Sequence, residues 1–177
     1  MLKKILMSAM CISLSTMFAA QAVEPEAAAD CAWHNDCSSI QGWRSNPEDP
    51  GMCAKVEQVE PSVIKVTQDG NSTWGKAAYF ISGIDLEKNP MLYLKATKVD
   101  LNSAFTVQVA SSDWSDCITV VSRTSADGLH DGNIRKAVRV SKTPDAWKGE
   151  ASFWLVIVIE GKGKGTFIDD ICIRAKK

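Results

Sequence analysis

The amino-acid sequence predicts an all-β protein built as an antiparallel β-sandwich. Short runs of strand-forming residues recur along the chain, and turn residues divide them at intervals of roughly a dozen residues. Apolar and polar side chains alternate within these runs: Phe105, Val107 and Val109 share one face, and Thr106 and Gln108 share the other. No long segment has apolar residues at helical spacing. A sandwich is the economical way for such strands to bury their apolar faces.

Each predicted strand is a β-rich run that ends at a turn signal. In chain order the predicted strands are residues 53–59, 62–67, 74–82, 91–99, 104–111, 117–122, 135–141, 152–159 and 166–173. Turn residues interrupt the chain at 69–71, 89–90 and 127–133. Residues 153–159 are apolar on both faces, which predicts a central strand. The glycine-rich segment 161–165 predicts that the last two strands form a hairpin.

The N-terminus has the three-part form of a secretory signal. Lys3 and Lys4 precede an apolar stretch from Ile5 to Ala20, and Ala20 and Ala22 suit a signal peptidase. We predict a signal peptide over 1–22, a flexible lead-in over 23–30, and a single β-sandwich domain over 31–177. The protein is therefore expected to be secreted or periplasmic, without insertion into a membrane.

Charge and cysteine content narrow the class of protein further. The chain has 20 basic and 21 acidic residues and no long run of either sign, which disfavours a nucleic-acid partner. An exported chain is expected to form disulfides, although an odd number of cysteines follows the signal. These are Cys31, Cys37, Cys53, Cys117 and Cys172. Their clustering indicates that the N-terminal segment is stapled locally or is tied to the last strand through Cys172.

A zinc site is the alternative interpretation of the N-terminal cysteines. Cys31, His34 and Cys37 lie at intervals of three, and Cys53 could supply a fourth ligand. An exported chain favours disulfides over this site.

Three segments carry a resemblance to a known family. They are Asp36-Cys-Ser-Ser-Ile-Gln-Gly-Trp43, Asn89-Pro-Met-Leu-Tyr-Leu-Lys95 and Phe167-Ile-Asp-Asp-Ile171. In this order they resemble segments of the galactose-binding-like jelly rolls, particularly non-catalytic carbohydrate-binding modules. The resemblance implies a jelly-roll sandwich whose partner is a glycan or polysaccharide.

The same resemblance implies a structural calcium ion. It would be held by Asp169 or Asp170 on the last strand, with Asp36 as an N-terminal ligand, because calcium takes hard oxygen ligands. By strand parity Asp169 shares a face with Phe167 and Ile171, so a core on that face would leave its carboxylate in need of compensation. The alternative is that both aspartates accept hydrogen bonds from turn amides.

Candidate ligand-binding residues come from the tryptophans and one polar loop. Trp74 and Trp114 adjoin polar runs, and Trp154 lies on the second face of the predicted central strand. An indole can stack on the apolar face of a sugar ring, so these three and His130, in the loop 127–133, are the predicted ligand-binding residues. Trp43 is predicted to pack in the core instead.

No motif of a catalytic nucleophile or metalloprotease helix is present, so an enzyme is not expected. The leading hypothesis is a secreted, non-catalytic carbohydrate-binding protein. The alternative is a structural or adhesive cell-envelope protein that binds another protein. A groove lined by aromatic residues would favour the first, and a flat aromatic patch the second.

Overall fold

The computed structural model describes residues 30–45, 50–125, 133–138 and 149–177. These residues form two antiparallel β-sheets that pack face to face, together with a short 3₁₀ turn at Pro50–Met52. The described ranges contain no α-helix, and hence no helix that could span a bilayer. The predicted all-β, antiparallel sandwich is confirmed.

The first sheet has six strands. Five of them lie in the order β3 (Ala54–Glu60), β4 (Val63–Gln68), β11 (Gly165–Arg174), β6 (Met91–Val99) and β9 (Asn133–Ala137). The sixth, β1 (Trp33–Asn35), also pairs with β11. Strand β1 was not predicted, because three residues are too few to show alternation.

The second sheet has five strands and carries the candidate site described below. Their order is β2 (Trp43–Ser45), β5 (Trp74–Asp85), β10 (Glu150–Glu160), β7 (Ala104–Ser111) and β8 (Cys117–Ser125). Strand β10 is central, as its apolar sequence predicts. Strands β6 and β7 begin and end where the alternation pattern predicts.

The hydrophobic core lies between the inner faces of the two sheets. Its fully buried side chains of largest volume come from both sheets: Ile64, Ile81, Leu86, Leu92, Leu94, Phe105, Phe153, Leu155, Ile157, Ile159 and Ile168. Trp43 is half-buried and packs against this core, as predicted. On β10 the alternate residues Trp154, Val156 and Val158 are buried as well, on the outer face of the sheet.

The predicted hairpin between the last two strands is wrong. Strand β10 pairs with β5 and β7, whereas β11 pairs with β4 and β6 in the other sheet. The glycine turn therefore carries the chain from one sheet to the other, with positive φ values at Gly161 and Gly163. With β5 on one side and β7 on the other, β10 has no free edge at which β11 could pair.

Strand parity also changes within β11, because the pairing with β6 is irregular around Ile168. Asp169 is left without a residue opposite it, as in a β-bulge. Ile168 thereby enters the core, while Lys65 and Lys98 lie over the ring of Phe167, at 4.7 and 5.3 Å from its centre. The predicted parity, with Phe167 and Asp169 on the face of Ile171, is wrong, since parity counting assumes an unbroken strand.

One disulfide, between Cys31 and Cys172, ties the residues before β1 to β11. This confirms the second of the two predicted arrangements, in which the N-terminal segment is tied to the last strand. The zinc alternative is wrong, because Cys31 is in the disulfide and Cys37 is fully buried in the core.

Candidate functional site

The outer face of the five-stranded sheet, which points away from the core, is the candidate site. Strand register aligns its side chains in rows across β5, β10 and β7. The rows are Trp74, Glu160 and Ala104; Lys76, Val158 and Thr106; Ala78, Val156 and Gln108; and Phe80, Trp154 and Ala110. Large aromatic residues therefore lie at the start and in the middle of β5 on this face, with smaller and polar residues between them. The six residue steps from Trp74 to Phe80 span about 20 Å.

An aromatic cluster forms one end of this face. Trp114 stacks on Trp154 with ring centres 5.4 Å apart, and Phe80 contacts Trp154 at 4.8 Å in a tilted arrangement. The indole N–H of Trp154 donates to the carbonyl of Ser112. Trp154 is 8% exposed and Phe80 is 42% exposed, so Trp154 supports rings that face the solvent.

A tight turn between β7 and β8 holds Trp114 in place. The φ angle of Trp114 is 63°, a left-handed value that is unfavourable for a bulky residue. The Asp113 carboxylate accepts hydrogen bonds from the Ser111 hydroxyl and from the amide and hydroxyl of Ser115. These bonds lower the pKa of Asp113 to about 2. The turn thus keeps a strained backbone that aims the indole at Trp154.

An open depression of about 260 Å³ lies at the other end, beside Trp74. It is lined by Met52, Trp74, Lys76, Thr106, Gln108 and Val158. Trp74 is 40% exposed. A β-carbon added at Gly75 would lie 2.6 Å from the Cys53 carbonyl oxygen, so only glycine lets β5 approach the start of β3 at this position. That close approach brings Met52 and Trp74 to the same depression.

The charges on this face are mostly positive. The Arg44 guanidinium lies over the Trp154 ring, 5.8 Å from its centre. Lys76 lines the depression, and Arg123 forms an ion pair with Glu160. Within the described ranges neither Arg44 nor Lys76 has a carboxylate partner. The face can therefore supply aromatic stacking, neutral hydrogen bonds and two free cations.

The structure brings three of the predicted ligand-binding residues to this one face. Trp114 and Trp154 are in contact, and Trp74 lies at the opposite end. The prediction for His130 lies outside the described residues. Phe80 and Arg44 were missed by sequence reasoning, although Phe80 has the same parity as Trp74 along β5. No comparable sequence signal marks Arg44, because it is the middle residue of β2, a strand of only three residues.

The predicted calcium ligands are spread over separate contacts. Asp169 forms an ion pair with Lys95 at 2.5 Å, and Asp170 pairs with His34 at 2.6 Å. Asp36 accepts hydrogen bonds from the amide and hydroxyl of Ser38, which lower its pKa.

No group of three or more His, Cys, Asp or Glu side chains is arranged to hold a metal in the described part of the chain, and these three carboxylates lie in separate contacts. One oxygen of Asp169 is buried without a hydrogen-bond partner. Calcium stays a prediction from the resemblance.

A second depression, of about 480 Å³, lies near the loop between β1 and β2. Its lining is mostly polar: His34, Asn35, Asp36, Ser39, Gln41, Gly42 and Tyr79. The Tyr79 ring packs against Trp33 and Trp43, with ring centres 5.3 and 5.5 Å away. Because this aromatic ring is held by its neighbours, the depression offers less for stacking than the outer face of the five-stranded sheet does.

Comparison with known proteins identifies the architecture. No protein-family model matches the chain, and no curated protein matches it. Among solved structures, the xylan-binding module CBM15 matches with a TM-score of 0.56 and 14% identity, over 82% of this chain and 96% of the module. This chain has the fold of that module.

A mutant of Xylanase10C from Cellvibrio japonicus, solved in complex with xylopentaose, matches with a TM-score of 0.59 and 13% identity over 82% of this chain. The chain spans 29% of that xylanase chain. At these identities the matches show the fold alone. They confirm the jelly-roll sandwich that the resemblance implied.

Proposed function

We propose that this protein binds carbohydrate on the outer face of its five-stranded sheet, and that it does so without catalysing a reaction. The observation that carries the proposal is the pair of exposed aromatic rings on one face of β5, Trp74 and Phe80, with a depression beside Trp74 that is lined in part by polar side chains. Aromatic faces stack on the apolar faces of sugar rings, and amide or hydroxyl side chains hydrogen-bond to their hydroxyl groups. Gln108 and Thr106 supply those polar groups here.

The length of the face favours a chain of sugars over a single one. Trp74 and Phe80 are separated by about 20 Å along one strand, so one small sugar would not contact both rings. A polysaccharide lying along β5 would contact both rings. The fold supports this proposal, because CBM15, which is described as xylan-binding, has the same architecture.

The depression beside Trp74 also bears on the alternative, a protein partner. A recessed site beside an aromatic ring fits a narrow chain, whereas a protein surface fits a continuous flat patch. The Cys31–Cys172 disulfide supports the proposal that the protein works in an oxidising compartment, secreted or periplasmic.

Affinity electrophoresis in gels containing soluble polysaccharides tests the proposal, with xylan as the first probe. The wild-type protein should be retarded by at least one polysaccharide, and Trp74→Ala and Phe80→Ala should each weaken binding about fivefold, as expected for an aromatic contact of about 1 kcal/mol. Val59→Ala is the matched control, because Val59 is 43% exposed and lies on β3 in the other sheet. Wild-type affinity in both aromatic variants, or no retardation by any polysaccharide, would contradict the proposal.

A further inference from the structure

Among the residues that the structure describes, two cations on the outer face of the five-stranded sheet form no ion pair with a carboxylate. Lys76 lines the depression beside Trp74, and Arg44 lies over Trp154. Elsewhere in the described residues many basic side chains have an acidic partner, as in Lys65–Asp100, Lys88–Asp85 and Lys95–Asp169. Binding to the hydroxyl groups of a sugar would not by itself require these two unpaired cations beside the aromatic rings.

Two acidic groups near the face have partners of their own. Glu160, beside Trp74 in the strand register, forms an ion pair with Arg123. Asp113, in the turn that carries Trp114, accepts hydrogen bonds from Ser111 and Ser115. Asp113 keeps its negative charge in the turn between β7 and β8, whereas the two unpaired cations lie on β5 and β2.

The spacing of the two cations suits charges repeated along one polymer. Arg44 lies opposite Ala78, two residues along β5 from Lys76. Two residues of a strand span about 7 Å and adjacent strands lie about 4.8 Å apart, which places the two α-carbons roughly 8 Å from each other. The planar guanidinium of Arg44 also suits a carboxylate, because its N–H groups can donate in pairs to the two carboxylate oxygens.

We infer that the polysaccharide bound here is acidic, carrying uronic-acid carboxylates that Lys76 and Arg44 bind. This inference rests on the proposed function and names its substrate class. The aromatic rings would hold the sugar backbone, and the two cations would select chains that bear carboxylates over neutral chains.

Titration calorimetry with a matched pair of polymers tests the inference. The probes are soluble glucuronoxylan and the same polymer after chemical reduction of its carboxyl groups, at low and high salt. At low salt the wild-type protein should bind the acidic polymer at least fivefold more tightly than the reduced polymer. The preference should shrink at high salt, where screening weakens exposed charge pairs.

The variants Lys76→Gln and Arg44→Gln should each lose part of that preference while still binding the reduced polymer. Lys162→Gln, which removes an exposed charge from the turn between β10 and β11, is the control and should keep the preference. Equal loss in Lys162→Gln would overturn the inference, since it would show attraction by net charge alone.

Equal binding of the two polymers by the wild-type protein would overturn the inference and leave the proposed carbohydrate binding intact. Binding of neither polymer, together with no retardation by the wider polysaccharide panel, would overturn both. A third probe, a sulfated polysaccharide, separates the sources of negative charge. Tighter binding of that polymer than of glucuronoxylan would overturn the assignment to carboxylates.

Discussion

Trp114 stacks on Trp154 with ring planes 25° apart, although one lies in a turn and the other lies on the central strand β10. The contact exists because the turn after β7 holds Trp114 at a positive φ angle. A bulky residue in that conformation costs roughly 1–2 kcal/mol, which the packing against Trp154 helps to offset. The strained backbone and the stacking contact together indicate that the turn positions the Trp114 indole as part of the outer face.

Replacement of Trp114 by glycine is expected to separate binding from stability. Glycine adopts the left-handed conformation without cost, so relief of strain should offset part of the lost contact and leave the melting temperature nearly unchanged. Polysaccharide affinity should fall several-fold, because one wall of the aromatic cluster is lost. Calorimetric titration and thermal melts give both values. Trp114→Phe is the control, and a Trp114→Gly variant with wild-type affinity would remove Trp114 from the site.

Trp43→Ala should behave in the opposite way, because Trp43 packs against the core and contacts Tyr79 with ring centres 5.5 Å apart. Truncation of a large core residue costs about 3–5 kcal/mol, and the half-buried position places Trp43 at the lower end of that range. Denaturant unfolding measures the change, and Trp74→Ala is the matched surface variant. If Trp74→Ala is more destabilised than Trp43→Ala, the assignment of Trp43 to the core and of Trp74 to the binding surface is wrong.

The Cys31–Cys172 disulfide should contribute about 2–5 kcal/mol to stability, since it closes a loop with a sequence separation of 141 residues. The double variant Cys31→Ser, Cys172→Ser should show this loss in urea unfolding. Cys117→Ser is the control, because Cys117 is exposed and free, and its change should stay within about 0.5 kcal/mol. A double variant as stable as the wild-type protein would show that the bond adds nothing.

The thiols of the native protein should differ in reactivity. Cys37 is fully buried, and burial raises its pKa to about 12, with nearby aspartates adding to the effect. Its thiol is therefore protonated and shielded at neutral pH, whereas Cys117 is exposed. Mass spectrometry after brief alkylation should find Cys117 modified in the folded protein and Cys37 modified only after unfolding. Labelling of Cys31 or Cys172 without a reductant would contradict the disulfide.

Lys95 should stabilise the fold through Asp169, whose side chain is 16% exposed against 46% for Lys95. Lys95→Met leaves that carboxylate unpaired, so the cost should lie between about 1 kcal/mol for an exposed pair and about 3–5 kcal/mol for a buried one. Thermal melts measure it. In the double variant Lys95→Met, Asp169→Asn, most of the loss should be recovered. A Lys95→Met protein with unchanged melting would show that the pair contributes nothing.

The same melts test calcium. If calcium is a structural ligand, a hundredfold excess over its dissociation constant should stabilise the wild-type protein by about 2.7 kcal/mol, and Asp169→Ala should abolish the effect. If a chelator leaves the melting temperature of the wild-type protein unchanged, the calcium prediction is wrong and Lys95 is the partner of Asp169.

The candidate site could be predicted from sequence only in part. Trp74 and Trp114 adjoin polar runs, and that local signal led to residues that the structure places on one outer face. Phe80 carries the parity of Trp74 but no polar flank, so it was missed. Arg44 belongs to a three-residue edge strand, and its position over Trp154 depends on which strand lies beside β5.

What the sequence by itself determined is the set of strands and, for most of them, which residues face inward. That information is local, because alternate side chains point to opposite faces of any regular strand. What only the tertiary structure decided is the order of the strands, the bulge that displaces Asp169, and the meeting of Trp74, Lys76, Arg44 and Phe80 on one face. Those features depend on pairing between segments far apart in the chain, where each strand takes the neighbours that bury most apolar surface and satisfy its backbone hydrogen bonds.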